Sequence, residues 1–144
     1  MKASPKMAPV LGMLVGSAAL ILTACGGAGT SSKGTEVDVT LQDYSITSSA
    51  TSFQVGVPYD FVVSNKGALT HQLDIMPPTG VGPVSEQDVQ KELVAGIDRS
   101  GIDPGKTVRF QYTFTKAYPQ GQLEMACHLE GHYEAGMHLS ITVQ

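Results

Sequence analysis

The stretch Asp103-Pro104-Gly105-Lys106-Thr107-Val108-Arg109-Phe110-Gln111-Tyr112-Thr113-Phe114 sets the fold class. Pro104-Gly105 is a turn signal. After it, Val108, Phe110, Tyr112 and Phe114 alternate with polar residues, the period of a strand with one face in a core. The same pattern recurs on both sides. Upstream, Val37, Val39 and Leu41 alternate with Asp38, Thr40 and Gln42, and Tyr44 and Ile46 continue the run after a bend. Phe53, Val55 and Val57 lead to Pro58. Tyr59–Ser64 reads as the next strand, with Asn65-Lys66-Gly67 as its turn, and His71–Met76 as another, ended by Pro77-Pro78. Downstream, Tyr118-Pro119-Gln120-Gly121 reads as a turn, Gln122–Cys127 as a strand and His138–Val143 as the last strand. One helix is predicted over Ser85–Ala95. Ser85 caps it, Asp88 follows three residues on, Val89, Leu93 and Val94 form its apolar stripe, and Gly96 stops it. About seven short strands separated by turn signals predict an all-β sandwich with one short inserted helix.

The N-terminal segment does not fit that sandwich. Lys2 and Lys6 precede an apolar run, Val10–Leu22, broken only by Ser17. The run is short for a membrane span and has the flanks of an export signal. It ends in Leu22-Thr23-Ala24-Cys25, which is similar to a bacterial lipobox and would make Cys25 the lipidated first residue. A plain cleaved signal that ends near a cysteine is the other reading. The expected organisation is an export signal over 1–24, a Gly/Ser-rich tether over 25–35 and a folded domain over 36–144. Attachment to the membrane is then through lipid alone, on the extracytoplasmic side, in the periplasm or at the cell surface. Without Lys2 and Lys6, 7 basic residues face 13 acidic ones, a net charge of −6. That balance opposes nucleic-acid binding and suits an exported domain that meets basic partners.

The cysteine count raises the functional question. The chain has two cysteines, and if Cys25 carries lipid, Cys127 has no disulfide partner in an oxidising compartment. Either Cys127 is a buried inert thiol, or a metal protects it. Its surroundings favour the metal. In Cys127-His128-Leu129-Glu130-Gly131-His132-Tyr133-Glu134-Ala135-Gly136-Met137, thiolate, imidazole and thioether are spaced C-x4-H-x4-M. Soft sulfur and imidazole together suit copper cycling between Cu(I) and Cu(II), and two imidazoles with one thiolate make a trigonal site that a weak axial Met completes. His71 is in a suitable place to be the second imidazole. No P-loop, GxSxG or CxxC motif is present, and the donor set does not suit hydrolytic chemistry, so no enzyme is expected.

These residues place the chain in a recognisable pattern: over about residues 36–144 it resembles the cupredoxins, the small blue-copper proteins. The resemblance rests on Phe61–Ile75 with Asn65, Gly67 and His71, on the approach Tyr118–Cys127, and on the loop through Met137 with its closing strand. The ligand spacing is similar to that of auracyanin- and rusticyanin-type members. It implies a Greek-key β-sandwich holding one copper ion, with His71, Cys127 and His132 as equatorial ligands and Met137 as axial ligand. It further implies a monomer that carries single electrons between redox partner proteins through small, weak interfaces, with the exposed edge of His132 as the electron port. A copper chaperone or copper-resistance lipoprotein, exchanging the metal itself, is the alternative.

Two positions depart from the family pattern. Gln72 and His128 stand where many members have Asn after the first His and Ser or Thr after the Cys. They are expected to take over the tie between the two ligand segments; exposed side chains without that role are the other reading. The chain has only four histidines, His71, His128, His132 and His138, too few for a trinuclear copper cluster, and a binuclear site would need a second loop cysteine. His138 is expected on the other face of the last strand, outside the ligand set. Met125 is expected to pack near the site, and Met76 in the core or at its rim. Glu130 and Glu134 bracket His132 as an acidic rim or as solvated loop charges, and Pro77, Pro78, Leu129 and Ala135 offer an apolar patch beside it.

Overall fold

The computed structural model describes residues 33–80, 84–97 and 100–144. The predicted export signal, Cys25 and all but the end of the tether lie outside the described residues. The elements in chain order are β1 (Thr35–Gln42), β2 (Ser45–Ser48), β3 (Ser52–Phe53), β4 (Pro58–Asn65), β5 (Asp74–Met76), α1 (Glu86–Glu92), β6 (Ala95–Gly96), β7 (Thr107–Thr113), β8 (Tyr118–Ala126) and β9 (His138–Val143). They form two mixed sheets, ordered β2-β1-β4-β7 and β3-β9-β8-β5-β6. The architecture is a Greek-key β-sandwich. β1 runs parallel to β4, and β3 parallel to β9, while the remaining pairs are antiparallel.

The alternation in the sequence explains the layers. Val37, Val39 and Leu41 of β1 and Phe61 and Val63 of β4 are buried, and they share one core with Leu73, just before β5, and with Ile75, Leu123, Met125, Ile141 and Val143 of the other sheet. Full burial of one such side chain is worth about 1.5–3 kcal/mol. One end of this core is aromatic: Phe53 packs edge-on to Tyr59 at 5.0 Å and lies 5.3 Å from Phe114. The register of β1 against β4 sets Thr35 beside Tyr59 at that end and Leu41 beside Asn65 at the other. Asn65 anchors the second end. Its side-chain amide donates to the carbonyls of Leu69 and Ile102 at 2.7 Å each, and its Oδ1 accepts from the Gly67 N–H at 2.8 Å. The loop from Lys66 to Thr70 is thereby folded back before it reaches His71.

Several predicted boundaries shift. α1 ends at Glu92 instead of Ala95, because Ala95 and Gly96 leave the helix to pair with β5 at the sheet edge. Ser85 does cap it, accepting from the Asp88 N–H at 3.2 Å. Tyr118–Gly121 lies within β8 as an irregularity in its pairing with β9, with Gly121 at φ 80°, and is not a separate turn. β5 is shorter than predicted. His71 stands outside it in an isolated bridge with Ile102, exchanging backbone hydrogen bonds of 3.1 and 2.7 Å.

Candidate metal centre

At the Asn65 end of the sandwich, three of the predicted ligands meet. One donor atom each from His71, Cys127 and His132 lies within 4.8 Å of the others, and all three residues are buried. His71 Nδ1 is 3.2 Å from His132 Nδ1, and Cys127 Sγ is 3.4 Å from His132 Nδ1. The three come from different places. The bridge with Ile102 fixes His71. Cys127 directly follows β8, and His132 lies in the turns between β8 and β9. Backbone bonds close the loop on itself: Cys127 N–H donates to the Met137 carbonyl at 3.1 Å, and Met137 N–H to the His132 carbonyl at 3.0 Å. Gly131 and Gly136, at φ 78° and 97°, permit these reversals. Met137 is fully buried beside the loop it closes.

The donors fit a soft transition metal. His71 Nε2 faces the acceptor-only carboxylate of Asp43 at 3.0 Å, a placement that suits a proton on Nε2, while Nδ1 is turned inward toward His132. Two lone pairs 3.2 Å apart would repel, so His71 Nδ1 and His132 Nδ1 need a proton or a cation between them. Burial pushes the Cys127 thiol up, against the opposing N–H groups of Gln72 and Leu129. Burial, then the neighbouring His71, pushes His132 down. The apoprotein therefore favours a neutral thiol and a neutral imidazole, and ligation must release the thiol proton.

Gln72 and His128 are both drawn into the structure around the site. The Gln72 main-chain N–H donates to Cys127 Sγ at 3.3 Å. The His128 imidazole is bound by Asp74 of β5, Nδ1 to Oδ2 at 2.9 Å, with both side chains 1% exposed. The side-chain tie between the two ligand segments thus runs through His128 and Asp74, two residues beyond Gln72. Behind it, His128 stacks on Tyr133 at 5.3 Å and Tyr133 on His138 at 4.8 Å. The Tyr133 hydroxyl donates to Glu124 at 2.7 Å; burial, reinforced by that bond, raises its pKa to about 12. His138 lies outside the donor group, 3.5 Å from Glu124. Met76 and Met125 are core residues, and Glu130 and Glu134 are exposed.

Sequence reasoning missed the turn between β1 and β2. Asp43 and Tyr44 occupy it; the strand pattern read Tyr44 only as continuing the run after a bend and gave Asp43 no role. Asp43 takes the outer nitrogen of His71 and also accepts from the N–H groups of Ala68 and Leu69, at 3.0 and 3.2 Å. The Ala68 N–H first, then His71, holds its carboxyl below the usual carboxylate range. Tyr44, at φ 65°, sets its ring edge-on to His132 at 5.4 Å. His132 is only 9% exposed, whereas Tyr44 is 47% exposed, so the edge expected to face solvent is covered by a tyrosine. A positive φ on a bulky residue was the available signal, and it appears only in the backbone.

No protein-family model matches the chain. It is 26% identical over 139 residues to the copper-resistant cuproprotein CopI of Pseudomonas aeruginosa, covering 75% of each chain. Among solved structures, it is similar to auracyanin of Roseiflexus castenholzii, with 15% identity, a TM-score of 0.54 and coverage of 78% of this chain and 98% of that one. It is likewise similar to rusticyanin of Thiobacillus ferrooxidans, with 21% identity, a TM-score of 0.54 and coverage of 78% and 79%. Strand order, the grouped His, Cys and His donors and these likenesses agree: the described domain has the cupredoxin fold.

Proposed function

We propose that the protein is a mononuclear type 1 copper protein that carries single electrons outside the bacterial cytoplasmic membrane, held there by lipid on Cys25. The observation that carries this reading is the convergence of His71 Nδ1, Cys127 Sγ and His132 Nδ1 in one buried space. His71, Cys127 and His132 would hold the ion, with Met137 as the weak fourth ligand. Bound copper supplies a one-electron couple, Cu(I)/Cu(II), which sulfur and imidazole donors accommodate in both states.

The chain's own groups do the rest. Two N–H donors stabilise the thiolate of Cys127. The bonded loop and the bridge at Ile102 hold the donors from both sides, which limits rearrangement when the charge changes. Burial excludes water and competing ligands. In this reading the protein carries an electron and turns over no substrate. Redox partners meet this end of the sandwich, where the acidic residues Glu130 and Glu134 favour a basic surface.

The likeness to CopI favours a second reading, copper handling in resistance. The closed, buried donor set opposes ready exchange of the metal. Loading with Cu(II) separates these readings from failure of both. A blue-copper site gives an intense thiolate-to-copper absorption band that Cys127→Ala abolishes. Colourless tetragonal copper overturns the electron-carrier reading. Rapid transfer of copper to an acceptor apoprotein supports the handling role.

A further inference from the structure

We propose that Asp43 is a positioning residue for the metal centre: its carboxylate fixes the His71 tautomer and favours the oxidised ion. This inference rests on the copper reading above. The two nitrogens of the His71 ring have opposite surroundings. Nε2 faces Asp43 Oδ1 at 3.0 Å, and Nδ1 faces His132 Nδ1 at 3.2 Å. His71 is fully buried, so its ring has no water-facing alternative. Asp43 is itself held. It accepts from the N–H groups of Ala68 and Leu69, on the segment that leads directly into His71.

The packing around this contact leaves no slack. A Cβ on Gly67 would run into Asp43 Oδ1 and stand 2.8 Å from His71 Nε2, so only glycine lets the carboxylate and the imidazole meet there. Asp43 belongs to neither ligand-bearing segment. The β1–β2 turn delivers it from the opposite sheet. Its negative charge distinguishes it from a neutral carbonyl in the same place. A carboxylate on the outer nitrogen makes the inner nitrogen a stronger donor and attracts a dication more than a monocation, so it lowers the reduction potential.

The test compares wild type with Asp43→Ala and Asp43→Asn. Asparagine keeps an oxygen that can accept from Nε2–H but removes the charge. Outer partners of metal-bound histidines are worth about 10–100-fold in metal affinity, and Asp43, with its side chain 37% exposed, belongs at the low end of that range. Asp43→Ala is expected to weaken Cu(II) binding about tenfold relative to Cu(I), which raises the reduction potential by about 59 mV. Asp43→Asn is expected to raise it by a smaller amount. Equal losses for both oxidation states, with the potential unchanged, overturn the proposal.

A metal-free measurement decides the tautomer separately. In mildly alkaline buffer, nitrogen-15 NMR of the wild-type apoprotein is expected to show His71 protonated at Nε2. Protonation at Nδ1 overturns the proposal even if copper binds. If the copper-loaded protein shows no thiolate band, the copper reading fails, while the NMR result still tests the Asp43 contact.

Discussion

Replacing His128 by alanine tests whether the buried pair with Asp74 holds the two ligand segments together. The side chains of both residues are 1% exposed, and their contact is 2.9 Å. The other Asp74 oxygen, Oδ1, is buried with no hydrogen-bond partner among the described residues. His128→Ala therefore removes the one side-chain partner the Asp74 carboxyl has there. A hydrogen bond to a charged group is worth about 1.5–3 kcal/mol. The stack on Tyr133, 5.3 Å away with the rings 14° apart, adds about 0.5–1.5 kcal/mol. Together they predict a loss of about 3 kcal/mol, a large share of a typical domain stability of about 5–15 kcal/mol. At roughly 4 °C per kcal/mol, the melting temperature falls by about 12 °C. Urea unfolding of the metal-free protein measures this, with an unchanged m-value showing that the unfolded state is comparable. Asp74→Ala is expected to cost a similar amount, and the double variant little more than either single one, a coupling of about 2 kcal/mol. A His128→Ala cost below about 1 kcal/mol, or additive costs in the double variant, would refute the clamp.

Other expectations follow from the same geometry. Gly67→Ala sets a Cβ against the Asp43–His71 contact and is expected to cost about 1–3 kcal/mol in urea unfolding, as overpacking does. Tyr44→Gly relieves a left-handed residue at φ 65°, which is worth about 1 kcal/mol, while uncovering His132. The variant should therefore keep its stability in urea while His132 in the metal-free protein reacts several-fold faster with diethyl pyrocarbonate, on the order of what an exposed histidine shows. An unchanged rate would mean Tyr44 does not cover the ring. Tyr133, with its pKa raised to about 12, should give a late ionisation step in an alkaline absorbance titration, above the ordinary value of 10.0. A raised folded-state value gives stability that is full below the ordinary value of 10.0 and lost as pH rises towards about 12. Tyr133→Phe should remove that late step and flatten the fall in stability over the same window.

The sequence by itself determined the class of the fold and the chemistry of the donors. Alternation in Val37–Leu41 and Val108–Phe114 is local and survives any arrangement of the sheets, because a strand with one buried face must repeat every second residue. The spacing of Cys127, His132 and Met137 is equally local, since a single loop carries all three. The edges of elements were less legible. The predicted helix ran on to Ala95 because its stripe continued, and only pairing of Ala95 and Gly96 with β5 ended it earlier. Tertiary structure alone decided what surrounds the donors. Asp43 and Tyr44 are remote in sequence from Cys127 and His132, and they reach the site because the β1–β2 turn lies at the same end of the sandwich. His128 Nδ1 meets Asp74 at 2.9 Å, a consequence of β5 lying antiparallel to β8 with Asp74 beside Ala126. Sequence period fixes which face a side chain takes; which strand lies next to it depends on sheet order, and no local pattern encodes that.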